Sequence, residues 1–177
     1  MPCYNGAMTR YVALIRAVNV GGTGKLPMAD LRAMCAETGF TRVETYIASG
    51  NVVFESKATA SRVKAELEAR LLAYLGKPVG VVLRTAAEMA AVLKANPFAQ
   101  VEPKYTYAIF LDASPPPDAL QRAVGRSGEV MRLGDKEIFV HYPSGMGSSK
   151  LRIPAAKMGT ARNMNTIAKL AEIAARP

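Results

Sequence analysis

The stretch that decides the fold runs from Arg10 to Phe54: RYVALIRAVNVGGTGKLPMADLRAMCAETGFTRVETYIASGNVVF. Arg10–Val18 is a short run rich in Val, Leu and Ile that stops at a Gly-rich loop, which predicts a strand. The loop NVGGTGKL comes next, and Pro27 stands where a first helical residue is expected. Met28, Leu31, Met34 and Cys35 then recur at helical spacing. Gly39 predicts the stop, with Phe40 folding back on the last turn. Thr41–Phe54 predicts two short strands with Ala48-Ser49-Gly50-Asn51 at the turn between them.

Outward from this stretch, Val63, Leu67, Leu71 and Leu75 line one face of a helix over about residues 59–75, which Gly76 and Pro78 close. Val79–Arg84 completes the set as a strand. The order β-α-β-β-α-β is the mark of a ferredoxin-like sandwich. The chain is therefore expected to be α+β, two ferredoxin-like (α-β plait) halves with antiparallel sheets and helices on one face. Thr85 and Glu88 form a capping box that opens a helix to about Ala95, where Asn96-Pro97 ends it. Residues 8–98 are assigned to the first half with this bridging helix, and residues 99–177 to the second.

The second half predicts a strand at Tyr105–Leu111 and a helix capped by Ser114 that enters through Pro115–Pro117 and carries Leu120, Ala123 and Val124. Strands Glu129–Leu133 and Lys136–Tyr142 flank a Gly134-Asp135 turn. A last helix is expected from about 161 to 175, with Met164, Ile167, Ala168 and Ala171 on its apolar face. No fourth strand is legible, and the halves match in element order rather than residue by residue.

Half of the 177 residues are hydrophobic, which excludes a disordered chain. Two cysteines, Cys3 and Cys35, are too few for a disulfide scaffold. The N-terminus lacks the order of a signal peptide and no apolar run is long enough to span a bilayer, so a cytoplasmic protein with no membrane partner is expected. Residues 1–7 differ in character from the rest of the chain, and Met8 is an alternative start. One histidine and scattered acids give no metal-ligand cluster, so no metal or cofactor is expected, although a pair of acids able to hold Mg²⁺ leaves little trace in a sequence.

The formal charge of +9 points to anionic partners. No acid lies between Glu137 and Glu172, a stretch that holds Lys150, Arg152, Lys157, Arg162 and Lys169. The loop Val20–Leu26 departs from a P-loop, because Asn19 and Leu26 stand where that motif needs Gly and Ser/Thr. It is read either as an anion-binding turn that carries Lys25 or as a plain strand-to-helix turn. Ser49 is a candidate nucleophile that lacks a base at a recognisable spacing, and a hairpin turn explains Ser49-Gly50-Asn51 better. Thr160-Ala-Arg-Asn-Met-Asn-Thr166 places Arg162 in the first turn of the predicted last helix, with Thr160 as its cap. A cation is disfavoured there by the helix dipole, so Arg162 either meets a bound phosphate or pairs with a carboxylate. The loop Gly145–Lys150 either closes over an anion or is a plain connection. Basic charge without an aromatic run suits a nucleic-acid backbone but not base stacking.

RYVALIRAVNVGGTGKLPMADLRAMCAETGF, TYIASGNVVF and GTARNMNTIAKLA together resemble the three marks of a bacterial family known as domain of unknown function 1697. The resemblance implies a pair of α-β plaits and no established activity. The matching positions are Arg16, Asn19, Gly21, Gly22, Ser49, Gly50, Asn51, Arg162, Asn163, Asn165 and Thr166. Met164 stands where the family usually carries Trp.

The site expectation is that Arg16, Asn19, Lys25, Ser49, Asn51, Lys150, Arg162, Asn163 and Asn165 bind a phosphorylated or anionic ligand in a polar cleft between the halves. The alternatives are an enzyme of hydrolase or transferase type acting on such a ligand, and a protein–protein adaptor.

Overall fold

The computed structural model describes residues 6–20 and 24–177. Gly21, Gly22, Thr23, Cys3 and most of the N-terminal extension lie outside the described residues. The chain divides into two compact units, one reaching Met89 and taking in Leu170–Pro177, the other Ala90–Lys169.

In the first unit, β1 (Thr9–Ile15), β2 (Thr41–Thr45), β3 (Asn51–Ser56) and β4 (Val81–Thr85) form an antiparallel sheet in the order β2-β3-β1-β4. Helices α1 (Met28–Glu37) and α2 (Ala60–Leu75) pack on one face of it. Leu31, Met34 and Cys35 from α1 and Val63, Leu67 and Leu71 from α2 meet Tyr11, Ala13, Ile15, Val52, Phe54 and Val81. The Phe40 ring stacks on Phe54 at 4.4 Å. Burying a large apolar side chain contributes roughly 1.5–3 kcal/mol, so this face carries much of the unit's stability. Val12, Leu14 and Val53 on the opposite face are buried as well. Burial on both faces is why the strand reads as a continuous apolar run instead of alternating.

The helix ends obey local rules. Thr59 caps α2 by accepting from Arg62 N, and Gly76 closes it in the left-handed region at φ +73°. Thr85 and Glu88 make the reciprocal capping box, Thr85 N donating to Glu88 Oε1 and Glu88 N to Thr85 Oγ1. That box opens α3 (Ala86–Lys94).

In the second unit, β5 (Thr106–Phe110), β6 (Val130–Leu133), β7 (Glu137–His141) and β8 (Thr160–Asn163) repeat the sheet order as β6-β7-β5-β8. Its core holds Ile109, Leu111, Ala119, Met131, Ile138, Val140, Tyr142 and Ile153.

The structure departs from three expectations. There is a fourth strand, β8, where the periodicity places the start of the last helix, and α4 spans Met164–Ala174. Four residues with weak strand preference are strand because β5 offers them a free edge to pair with. The segment after Pro115–Pro117 makes turns rather than a helix. Too few residues separate the three prolines from Gly125, itself at φ +74°, for a helix to outlast its costly nucleus. The β6–β7 register pairs Leu133 with Ile138, which centres the hairpin turn on Asp135-Lys136, one residue later than expected.

The β1–β4 and β5–β8 registers show a residue-level repeat that element order alone does not. Tyr11 pairs with Thr85 and Val12 with Arg84, while Tyr107 pairs with Asn163 and Ala108 with Arg162. Arg84 and Arg162 are both buried, and each donates from Nη1 to the carbonyl before it, Leu83 O and Ala161 O, at 2.9 Å. The next residue caps a helix in both cases, since Asn163 Oδ1 accepts from Thr166 N at 2.9 Å. Replacing either Thr85 or Asn163 by Ala is expected to cost about 1 kcal/mol, read as a lower denaturant midpoint at unchanged slope.

Candidate functional site

In the first unit, the predicted residues gather at the loop end formed by residues 16–20, residues 24–26 and the β2–β3 turn. Asn19 sits in the left-handed region at φ +56°, a conformation that its short polar side chain tolerates. Its side chain clasps the loop. Nδ2 donates to Leu26 O and to Ala48 O, both at 2.8 Å, and Oδ1 accepts from Leu26 N at 2.7 Å. Asn19 N also reaches Gly24 O at 3.1 Å. One side chain therefore joins the backbone at Leu26 to the neighbouring hairpin at Ala48.

Asn51 does the same for the hairpin. It is fully buried, and Nδ2 donates to Tyr46 O at 3.0 Å and to Ser49 Oγ at 2.8 Å. Gly50 stands at φ +85° and its carbonyl accepts from Ile15 N at 2.8 Å. Both asparagine side chains are thus used as backbone clamps, whose donors and acceptors would otherwise be left unmet. The Ser49 oxygen accepts an amide N–H, which is no base, so this contact does not activate it as a nucleophile.

Two cations belong to the same loop end. Arg16 is partly buried where β1 leaves the sheet, its main chain bonded to Gly80 O at 2.9 Å. Lys25 lies between Gly24 and Leu26, both held by Asn19, and its ammonium is exposed with no partner among the described residues. A groove of about 620 Å³ on the helical side, lined by Ala33, Ala69, Ala73 and Tyr74, holds none of the predicted residues.

The remaining predicted residues belong to the second unit. Arg162 is on strand β8, not in a helical first turn, so the dipole argument for a bound phosphate falls away. It is buried, and Nη1 donates to Thr160 Oγ1 at 2.6 Å and to Ala161 O. Burial lowers its pKa to about 10. Thr160 is this arginine's partner rather than the helix cap, a role that Asn163 fills. Asn165 is exposed in the first turn of α4 with no partner among the described residues. Met164, at the position where a Trp is usual, is buried and therefore serves packing. Lys150 is exposed at the rim of a separate cleft of about 290 Å³. Sequence reasoning missed two buried polar residues of that cleft, Glu129 and Tyr142. A lone acid at a strand start and a Tyr at a strand end carry no spacing signal that could have found them.

The model of a protein family described as "Protein of unknown function (DUF1697)" matches residues 8–139, three quarters of the chain and the part that holds the clasped loop and the hairpin. The chain belongs to the DUF1697 family. A solved structure of a conserved bacterial protein from Streptococcus pneumoniae is similar to this DUF1697 chain at 27% identity and a TM-score of 0.78. It covers 95% of this chain and 99% of its own. No curated protein matches. The family match ends before the third sequence mark, GTARNMNTIAKLA, whereas the structural likeness spans nearly the whole chain. Among the described residues, no helix is long and apolar enough to cross a membrane.

Proposed function

We propose that this DUF1697 protein binds a phosphorylated or otherwise anionic ligand at the loop end of its first unit, with Lys25, Arg16 and Ser49 as the contacting groups. The observation that carries the reading is Lys25: an exposed ammonium without a partner among the described residues, between Gly24 and Leu26, whose backbone groups Asn19 bonds on either side of it. A cation whose two flanking residues are already hydrogen-bonded loses less backbone freedom when it binds an anion, which removes part of the entropic cost of association. The net charge of +9 adds long-range attraction. Stacking of nucleobases on the sheets is not favoured, because Val12, Val53, Ala108 and Phe139 on the central strands are buried.

A thermal-shift panel of inorganic phosphate, nucleotides, sugar phosphates and short DNA and RNA oligomers at low salt tests the reading. A probe at a hundred times its Kd should add about 2.7 kcal/mol of stability. The shift is expected to disappear in Lys25→Ala and to persist in Lys150→Ala. No shift from any probe, or one indifferent to Lys25, overturns the reading. Ser49→Ala separates binding from turnover: loss of one contact should only reduce the shift, whereas an enzyme would lose product formation altogether.

A further inference from the structure

The second unit contains a polar cleft of about 290 Å³ that the anion reading does not use. Its chemistry is mixed. Glu129 is buried, and its carboxylate accepts the Ser149 hydroxyl at 2.6 Å through Oε1 and the Ser127 amide through Oε2. These bonds, the serine hydroxyl foremost, hold its pKa below the usual carboxylate range, so the group is an anion at neutral pH. Ser149 has spent its donor on that bond, and its oxygen also accepts from Leu151 N at 3.1 Å. A carboxylate has room for about four hydrogen bonds, so Glu129 keeps accepting capacity beyond these two.

Tyr142 faces the same cleft. Its side chain is more than nine-tenths buried, and the ring is fixed edge-on to Tyr107 at 5.4 Å. Its hydroxyl has no hydrogen-bond partner among the described residues. Burial, with Tyr107 and Glu129 adding to it, pushes the phenol up to about 12, so it remains an O–H donor. The hydroxyl is thus a donor at the cleft wall that a bound acceptor would engage. Ser127 and Ser144 add hydroxyls without side-chain partners among the described residues, and Lys150 adds an ammonium at the rim.

We infer that this cleft is a binding site for a neutral polyhydroxylated molecule of monosaccharide size, recognised by the Tyr142 hydroxyl and the Glu129 carboxylate together. Sugar hydroxyls both donate and accept, and so match a wall that offers O–H donors beside a carboxylate acceptor. An anion would meet the donors too, but would lie against the Glu129 charge, which makes the neutral class the better fit. The volume suits one ring with its hydroxyls and excludes larger glycans from full burial. The site is separate from the one assigned to Lys25, so either can fail without the other.

Titration of the ¹⁵N-labelled full chain with D-glucose, D-galactose, D-ribose and myo-inositol, and with inorganic phosphate and glucose 6-phosphate, tests the inference. At least one neutral probe is expected to shift the amide signals of Ser127, Tyr142 and Ser144. Tyr142→Phe, which keeps the ring and removes the donor, should weaken that binding about tenfold. Ser144→Ala, at an exposed position, should weaken it less and leaves the fold intact if Tyr142→Phe does not. Silence of these signals with all four neutral probes overturns the inference. So does tighter binding of phosphate or glucose 6-phosphate there, and so does binding indifferent to both substitutions.

Discussion

Gly125→Ala is expected to destabilise the second unit by about 3–5 kcal/mol, the sum of overpacking and a left-handed backbone forced on a residue with a side chain. A Cβ at this position would stand 2.2 Å from Lys150 O and 3.0 Å from its carbonyl carbon, and φ is +74°. The obstacle is backbone, so no rotamer change relieves it. The neighbouring bridge between Val124 and Arg152, with N–H···O bonds of 2.9 Å in both directions, ties the two segments and blocks retreat. The loss should appear as a lower denaturant midpoint and as lost hydrogen-exchange protection in β5, β7 and β8. Gly125→Asn separates the two causes, because Asn accepts the left-handed region but brings the same Cβ. An Asn variant as stable as the native chain would show that the steric contact is not the cause.

The second large effect is expected at Gly50, and it tests the site as well as the fold. An added Cβ would lie 2.7 Å from Val18 Cγ2 and 3.0 Å from Ile15 Cβ, at φ +85°. Both neighbours are buried β-branched side chains that cannot swing aside. Gly50→Ala should cost about 2–4 kcal/mol. Because the Gly50 carbonyl accepts from Ile15 N, the clash pushes on the hairpin that holds Asn51 and Ser49. The variant should therefore also lose any stabilisation by phosphorylated probes that depends on Lys25, even at temperatures where it remains folded. Undiminished Lys25-dependent stabilisation in a folded Gly50→Ala variant would detach the hairpin from the proposed site.

The elements of the first unit are legible in local sequence. A helix such as α2 announces itself through Val63, Leu67 and Leu71, a capping threonine and a closing glycine, all signals within a few residues of the place they describe. The capping box at Thr85 and the turn at Gly50 are equally local. The family resemblance is legible in three short segments for the same reason. Of the site, the sequence supplies the residue types Asn19, Lys25, Ser49 and Asn51, but not their division of labour. That both asparagines spend their side chains on backbone groups, leaving the cation exposed, shows only in three dimensions.

The remainder depends on partners distant in sequence. TARN at Thr160–Asn163 becomes strand because β5, more than fifty residues earlier, has an edge to fill. Its own residues give no such instruction, and an adjoining helical pattern points the other way. Arg162 changes from a helical cation with an electrostatic penalty to a strand residue with buried hydrogen bonds. Tyr142 and Glu129 become neighbours in one cleft only after two strands and a Gly/Ser loop have folded around it. Hydrogen-bond ladders and burial act between segments, whereas periodicity, caps and turns act within them, and that difference in range divides what could be read from what had to be seen.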